Sequence, residues 1–414
     1  MTPGPATEFL FSLERFGMKF GLSNMAALCD ALDHPERAYP SILIAGTNGK
    51  GSVAAMTHAA LGAEGYAAAR YTSPHLQRLE ERFSIGDRDV DTDRLEASAA
   101  RVRAAVEALL ASGRLDALPT FFECTTAVAF DLFREAHVDV AVLEVGLGGR
   151  LDATNVVTPV AAAIVSIDFD HQAQLGDTLA SIAAEKAGII KPAVPVVCGA
   201  MPDEAMDVVS RIAAERGAPL VVTDGDSALA ERVAAIPLAL SGAHQRLNAA
   251  VALRLLEVVD ADRRHALRVS EAARRKGLAS ARWPGRLETI VHHGRTLLLD
   301  AAHNPAGARA LASYLLGAAR SGVTLVFGAM KDKAVAEMLR ALAPVARSVV
   351  CTDAPTPRAM PAAELLEIAT SLGLDATAVE DPMAAVDRAC AAPAPVVVAG
   401  SIFLIGAVRE RVRP

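Results

Sequence analysis

The sequence predicts an α/β fold in which mainly parallel sheets lie in two successive domains. One observation is a strand, a glycine-rich turn and a helix that follow one another directly around residue 50. Another is the apolar, valine-rich segment 138–145, which is typical of the centre of a parallel sheet covered on both faces. A third is the regular alternation of strand and helix patterns from Arg295 onward. These patterns predict a larger N-terminal domain and a smaller C-terminal one.

The amino-acid composition indicates a globular protein and argues against nucleic-acid-binding and membrane-spanning classes. A chain of 414 residues is too long for one ordinary core, and 52% hydrophobic with 21% charged residues indicates a folded globular protein. A net charge of −7 argues against a general nucleic-acid surface. The five cysteines are far apart and show no disulfide or metal spacing, which suits a reducing cytoplasm. Since no run of about 18 apolar residues occurs, we expect no membrane span.

The first strand and its turn carry the most specific signal. Ser41–Ala45 is a short apolar run, and the turn GTNGKGS follows it and opens a helical pattern. Glycines let backbone N–H groups face an anion, Lys50 supplies a charge, and the Ser52 hydroxyl can ligate magnesium. The common phosphate-loop pattern has glycine where Ile44 stands and no glycine between the lysine and the hydroxyl residue. The turn therefore predicts a nucleotide phosphate site, with an ordinary glycine-rich turn as the alternative.

Other polar residues follow the predicted neighbouring strands. Glu144 ends the valine-rich strand, His171 follows the strand 160–167, and Ser73 follows the strand 66–71. Ligands of open α/β sheets bind at the carboxyl ends of the strands, where these side chains would meet Ser52. Carboxylate and hydroxyl oxygens are ligands that magnesium prefers. The pattern predicts a metal site, although a solvent-facing glutamate, a structural histidine and a plain Ser-Pro turn remain alternatives.

The second half of the chain supplies the domain boundary and three further candidate residues. A helix is predicted over 248–259, and Asn248 at its start is either a cap or a base contact. The segment RWPGR contains a proline–glycine break, which predicts domains over residues 1–286 and 287–414. Asp300 and His303 follow the first strand of the C-terminal domain, as turn and cap residues or as part of a site.

Seven segments together resemble a known family of enzymes. They are GTNGKGS, YTSPHL, LEVGLGGRLDATN, IAAEKAGIIKP, GAHQRLNAA, WPGR and DAAHNP. The chain resembles the folylpolyglutamate synthase/dihydrofolate synthase family, which belongs to the Mur-type ATP-dependent amide ligases. The resemblance extends from near Leu13 to the C-terminal GSIFLIGAVR. The turn GTNGK is shared with the Mur ligases, whereas EKAGI, GLGGRLDATN and AHNP are more particular to the folate enzymes.

The resemblance implies a fold and a reaction. It implies an N-terminal P-loop-type ATPase domain with a mainly parallel sheet and a smaller C-terminal Rossmann-like domain that binds glutamate. The reaction it implies belongs to folate biosynthesis and one-carbon metabolism: an ATP-dependent ligase adds L-glutamate to a folate-type carboxylate through an acyl phosphate. The partners would be small molecules only, namely ATP, L-glutamate and dihydropteroate or tetrahydrofolate, and we expect a cytoplasmic monomer.

The resemblance also assigns roles to individual residues. It implies that two Mg²⁺ ions lie near Ser52, Ser73, Glu144 and His171, with Lys186 carbamylated to support the second. Its ATP contacts would be Thr47, Asn48, Gly49, Lys50, Gly51, Ser52, Asn248, Arg286 and Asp300.

The remaining implied roles concern the acceptor and the chemical step. The pterin-bearing acceptor would lie near Phe122 and along Asp152, Ala153 and Thr154, and the catalytic residues would be Lys50, Lys186 and His303. Carbamylation would convert the Lys186 cation into an oxygen ligand that a hard metal prefers.

Three alternatives stay open at this point. The enzyme is either bifunctional, with dihydropteroate and tetrahydrofolate as acceptors, or a folylpolyglutamate synthase alone. A Mur-type cell-wall ligase would need a further domain for its sugar nucleotide, for which 414 residues leave little room. A nucleotide-binding switch without ligase chemistry would share the phosphate turn but would release no ADP in response to glutamate and a folate.

Overall fold

A computed structural model describes residues 4–17, 21–319 and 321–412. The chain divides into two compact units, of which the first comprises Met1–Ala239 and Arg246–Arg282. The second comprises Leu240–Gln245 and Trp283–Pro414. The division thus passes through the RWPGR segment, and a short stretch ahead of Asn248 belongs with the C-terminal unit. Among the described residues, none of the helices has the length and apolarity needed to span a bilayer.

The first unit is built on a sheet whose described strands run in the order β4-β3-β2-β5-β1-β6-β7-β8. Strand β1 lies in the middle and pairs in parallel with β5 and β6. At one side of the sheet, β3 pairs antiparallel with β2 and with the edge strand β4. Their bounds are β1 Ser41–Ala45, β2 Ala68–Tyr71, β3 Phe83–Ile85, β4 Arg88–Asp89, β5 Val140–Glu144, β6 Ala161–Ile164, β7 Val196–Cys198 and β8 Leu220–Val222.

Helices cover this sheet, and the aliphatic side chains of its central strands are buried. Helix α3 follows the phosphate turn and packs closely on α11, where a Cβ added at Gly277 would lie 2.3 Å from Ala60 Cα. Their bounds are α1 Pro5–Ser12, α2 Ser23–Ala31, α3 Lys50–Glu64, α4 Thr92–Ala111, α5 Phe121–Glu135, α6 Gln172–Leu175, α7 Leu179–Ala187, α8 Asp203–Glu215, α9 Ser227–Ala234, α10 Ala243–Ala261 and α11 Glu271–Ser280.

The second unit has its own sheet and core, with the described strands in the order β13-β12-β11-β14-β10-β9. Strand β9 pairs antiparallel with β10, and the other pairs are parallel. The bounds are β9 Glu288–His292, β10 Arg295–Asp300, α12 Pro305–Ala318, β11 Val323–Phe327, α13 Val335–Leu342, β12 Ala346–Cys351, α14 Ala362–Ser371, β13 Ala376–Ala378, α15 Pro382–Cys390, β14 Val396–Ala399 and α16 Ile402–Val412.

The predicted α/β class and the mainly parallel sheets are confirmed, with local corrections. The C-terminal sheet carries an antiparallel edge strand, β9, because the chain ahead of Arg295 turns back as a hairpin. The predicted start of a helix at Asn248 is wrong, since α10 begins at Ala243. Asn248 therefore lies inside the helix and is not its cap.

Candidate active site

The phosphate turn connects β1 to α3 and has a backbone that glycine alone accepts readily. Gly49 precedes the helix with φ of 83°, in the left-handed region that residues with a Cβ avoid. A Cβ at Gly49 would lie 2.3 Å from Asn248 Oδ1 and 2.8 Å from Val165 Cγ1. The Asn248 amide therefore packs directly against the turn. Two of the predicted ATP residues are brought together in this way.

The segment after β6 holds the turn in place. The backbone N–H of Thr47 donates to Ser166 O over 2.8 Å, and the Asn48 N–H donates to Ser166 Oγ over 3.0 Å. In return, Ser166 Oγ donates to Asn48 O, while Thr47 Oγ1 exchanges hydrogen bonds with the backbone of Asp168. Ser166 and Asp168 are supporting residues that the sequence pattern does not reveal.

Two lysine side chains meet at the mouth of β1. Lys50 Nζ donates to Gly46 O over 3.0 Å and to Thr47 O over 3.3 Å. Lys186 Nζ, from α7, donates to the same Gly46 O over 3.2 Å, although Lys186 is distant in sequence and only 4% exposed. Burial and the charge of Lys50 lower the pKa of Lys186 to about 7, against the partial opposition of the Asp170 and Asp152 carboxylates. The repulsion between the ammonium groups favours an anion at this point.

The predicted metal ligands lie at the carboxyl ends of neighbouring strands. Glu144 ends β5 beside Ile44 of β1, is 4% exposed, and accepts the Ser73 N–H over 3.3 Å. Ser52 is buried in the first turn of α3. His171, with φ of 51°, precedes the short helix α6 and lies with its Nε2 3.9 Å from Asp170 Oδ1. That Ser52, Glu144 and His171 share ions stays a prediction.

The carboxylate of Asp152 organises the loop on the predicted acceptor side. Its Oδ2 accepts the N–H groups of Gly146 and Leu147, and its Oδ1 accepts the N–H and hydroxyl of Thr154. Burial raises the pKa of Asp152, although these hydrogen bonds favour the ionised form. A carboxylate offers about four lone-pair positions, and the four hydrogen bonds from this loop occupy them. A contact from Asp152 to substrate stays a prediction.

Of the other residues predicted on this side, Phe122 retains exposed surface, whereas Thr154 and Ala153 are buried. A Cβ at Gly146 would lie 2.5 Å from the Phe122 ring, so the ring rests on the glycine backbone. The sequence does not point to Arg82, whose guanidinium lies 5.0 Å from the centre of the Phe121 ring and donates to His75 Nδ1. A buried cation thus lies beside the aromatic start of α5.

A second group of predicted residues lies within the C-terminal unit. Asp300 ends β10, is 7% exposed, and accepts the N–H groups of Leu287 and Ala302. Burial raises the pKa of Asp300, and the charges of Arg286 and His244 oppose the rise. Burial in turn lowers the pKa of His244, with the Asp300 charge opposing. Arg286, Asp300 and His244 therefore form one cluster, and His244 is the member that the sequence does not single out.

Neighbouring contacts fix the segments that carry His303 and Arg286. His303 Nδ1 lies 2.9 Å from Ala301 O, just ahead of α12, which Asn304 caps by accepting the Gly307 N–H. Behind Arg286, Glu288 accepts the Gly285 N–H over 2.8 Å and pairs with Arg409 Nε over 2.9 Å. Arg409 is 5% exposed. The turn that carries Arg286 is therefore fixed from behind by an ion pair to α16.

Comparison with known proteins gives a consistent result over the whole chain. Residues 285–402 match the glutamate ligase domain of Mur ligases. The chain is 34% identical to a dihydrofolate synthase/folylpolyglutamate synthase of Bacillus subtilis, covering 99% of this chain and 98% of that protein. A folylpolyglutamate synthase of Mycobacterium tuberculosis, complexed with ADP and AMPPCP, has a TM-score of 0.89 at 33% identity, covering 99% of both chains. A bifunctional synthase with Mn, AMPPNP and L-glutamate bound has a TM-score of 0.85 at 32% identity, covering 99% of this chain and 98% of its own.

Proposed function

The chain belongs to the dihydrofolate synthase/folylpolyglutamate synthase family, and we propose that it is the ATP-dependent ligase that joins L-glutamate to a folate-type carboxylate. The observation that carries this proposal is the meeting of Lys50 Nζ and Lys186 Nζ at Gly46 O, at the same edge of the sheet as the Glu144 carboxylate. Such an edge offers cations to a triphosphate and a carboxylate to a metal ion.

The residues present suit a magnesium–nucleotide complex. We propose that Ser52, Ser73 and Glu144 hold one Mg²⁺ and that Glu144, His171 and a modified Lys186 hold a second. Oxygen-rich ligands of this kind are those that Mg²⁺ accepts, and the nearly buried Glu144 carboxylate lies at the carboxyl end of β5, beside β1. Bound magnesium supplies charge that offsets the negative phosphate oxygens. Thr47 to Ser52, with Asn248, Arg286 and Asp300, would bind the nucleotide.

Lys186 is suited to carbamylation. With a pKa of about 7, a substantial fraction of its amine is neutral at neutral pH. The neutral nitrogen forms a bond to the carbon of CO₂, one C=O π pair moves to oxygen, and the proton leaves to water. The product is a carbamate anion beside the ammonium group of Lys50. The modification would replace the repulsion of two cations by attraction.

The chemistry that we propose proceeds in two balanced steps. An oxygen of the acceptor carboxylate bonds to the γ-phosphorus of ATP while the bond to the ADP oxygen breaks, which gives an acyl phosphate and ADP. The neutral amine of glutamate then bonds to the acyl carbon, phosphate departs with the electron pair of the C–O bond, and the amine loses a proton. Lys50 and the turn N–H groups would stabilise the transferred phosphoryl group. We also propose that His303, in the C-terminal unit, is a catalytic residue.

The acceptors that we propose are dihydropteroate and tetrahydrofolate, which makes the enzyme bifunctional; a folylpolyglutamate synthase alone is the second candidate. The test is ADP release with ATP and glutamate, offering dihydropteroate and tetrahydrofolate in separate reactions, with mass spectrometry of the products. ADP release and a glutamate adduct in both reactions support bifunctionality. An adduct with tetrahydrofolate alone favours the second candidate.

The same assay separates the proposal from its rivals. A rate of ATP hydrolysis that does not change when glutamate and the folate are added would contradict the ligase activity and favour a nucleotide switch. Ligation of an amino acid to a cell-wall nucleotide sugar would favour the Mur-type reaction. We also propose that the enzyme acts as a monomer, for which light scattering after size exclusion should give the mass of one 43.1 kDa chain.

A further inference from the structure

A cluster of metal-ligating side chains lies at the tip of the β9–β10 hairpin, apart from the proposed active site. His292 ends β9, His293 occupies the turn, and Asp387 lies on α15. Asp300 terminates the other end of β10, and a six-residue strand spans about 20 Å. The cluster is therefore not part of the group formed by Arg286, Asp300 and His244.

The turn geometry brings the two imidazoles to the same side. Consecutive residues of a strand direct their side chains to opposite faces. His293 instead has φ of 47°, in the left-handed region, and its ring centre lies 4.0 Å from that of His292. His292 Nε2 is 3.0 Å from Asp387 Oδ1, and one ligand atom from each of the three residues lies within 4.8 Å of the others.

These distances suit a single transition-metal ion. Zinc binds histidine nitrogen and carboxylate oxygen at about 2.0–2.1 Å, which places tetrahedral ligand atoms about 3.3 Å apart. His292 and Asp387 already meet this separation. His293 is exposed, so its ring can rotate to complete the set at little cost. Imidazole with carboxylate is a ligand set typical of zinc and its neighbours in the first transition row.

We propose that His292, His293 and Asp387 form a binding site for a divalent transition-metal ion of the zinc class, with a fourth position for water. An ion pair between His292 and Asp387 alone would account for those two residues. It would not account for His293, whose left-handed backbone places a second imidazole against the first. The bound ion joins the hairpin to α15 through three side chains.

The test uses the full-length chain without a histidine tag, in excess Mg²⁺ so that magnesium competes at the proposed active site. Zn²⁺ binding is measured by calorimetry, and Co²⁺ is titrated for its visible absorption. We expect His293→Asn and Asp387→Asn each to weaken binding about 10-fold or more, because each removes a direct ligand and the loss of an outer-shell partner alone costs at least that much. Asparagine tolerates the left-handed backbone, so the hairpin should remain folded. Ligase activity should stay at the wild-type level in both variants.

Two control variants make the result decisive. His137 is also an exposed left-handed histidine, with φ of 49°, and His137→Asn should leave the affinity unchanged. Cys390→Ser should do the same, although Cys390 is one helical turn from Asp387. Equal affinity in the wild type and His293→Asn would overturn the proposal, as would loss of binding in Cys390→Ser.

Discussion

Charged side chains gather at a strand end in each of the two units, but with different balances of charge. In the N-terminal unit, β1 leads to a turn where the Lys50 and Lys186 ammonium groups approach one carbonyl oxygen. In the C-terminal unit, β10 leads to Asp300, which lies beside the opposite charges of Arg286 and His244. An added anion would relieve the repulsion between the two lysines. In the C-terminal cluster, opposite charges already lie together without a ligand. The N-terminal unit therefore depends more on a bound ligand for its electrostatic stability than the C-terminal unit does.

The means of support also differ between the two regions. Hydrogen bonds from Ser166 and Asp168 hold the phosphate turn, and most of them involve backbone atoms. The turn that carries Arg286 is instead held by the buried ion pair between Glu288 and Arg409. Substitutions at the phosphate turn should therefore affect ligand binding and chemistry. Substitutions that break the Glu288–Arg409 ion pair should also lower the free energy of unfolding.

The largest effect is expected for Lys50→Ala. Removing the ammonium group that would stabilise the transferred phosphoryl should lower kcat about 1000-fold. The free energy of unfolding should change by about 0.5 kcal/mol or less, because Lys50 is partly exposed and repels Lys186. ADP release and thermal unfolding measure the two quantities. Lys276→Ala, at an exposed position of α11, is the control. Normal turnover in the Lys50 variant would contradict the assignment.

Lys186→Met should stabilise the ligand-free protein in a pH-dependent way. Lys186 has a pKa of about 7 when folded, against 10.5 for an ordinary lysine. Below pH 7 both states bind the proton, and the folded state carries the full penalty of a buried cation. Between pH 7 and 10.5 the unfolded state binds more protons, so wild-type stability rises with pH. The variant should gain about 5 kcal/mol near pH 6 and progressively less toward pH 10.

The measurement for Lys186 is urea unfolding of both proteins in CO₂-free buffer across this pH range, with Lys276→Met as the control. Activity should fall in Lys186→Ala, and a short carboxylic acid should partly restore it by replacing the carbamate. Added bicarbonate should stabilise the wild type but not the methionine variant. A difference between wild type and variant that does not vary with pH would show that the amine is not desolvated.

Arg409→Ala tests the support of the C-terminal turn. Because the change leaves the Glu288 carboxylate without its buried partner, the free energy of unfolding should fall by about 2–3 kcal/mol. The KM for ATP should rise more than kcat falls, if the turn positions Arg286 for the nucleotide. Arg411 forms an exposed pair with Asp381 on the same helix, over 3.9 Å, so Arg411→Ala should cost about 0.5 kcal/mol or less. Equal losses in the two variants would contradict the supporting role of Glu288.

The sequence predicts local features well because they depend on neighbouring residues. The phosphate turn is specified by its glycines and by the apolar strand before it, and the structure has β1 and α3 at those positions. Strand β9 is missed because its alternating half-exposed pattern is weak, as expected for an edge strand. The predicted start at Asn248 is wrong because the five residues from Ala243 to Leu247 extend the helix toward its N-terminus.

Contacts between distant parts of the chain are beyond what a single sequence specifies. Lys186 and Gly46 are 140 residues apart, and their hydrogen bond depends on how α7 packs beside β1. The same holds for His244 near Asp300 and for Asp170 near Lys186, since a charge acquires its neighbours only when the elements assemble. The resemblance to a known family supplies residue roles that pattern reasoning from one chain leaves open.

The smallest effect in this series is expected for Gly49→Ala, and a matched glycine separates its two causes. Gly217 has φ of 57° with open space where a Cβ would lie, so Gly217→Ala should cost about 1 kcal/mol from backbone strain alone. Gly49→Ala adds a contact of 2.3 Å with Asn248 Oδ1, which should raise the cost to about 2 kcal/mol and weaken nucleotide binding. Thermal unfolding and ADP titration measure both. Gly49→Ala combined with Asn248→Ala should recover part of the stability, because truncating Asn248 removes the closer contact and leaves the contact with Val165 Cγ1 and the backbone strain. If the double variant is no more stable than Gly49→Ala, the packing of Asn248 on the phosphate turn does not limit this position, and the contact with Val165 and the backbone conformation account for the whole cost.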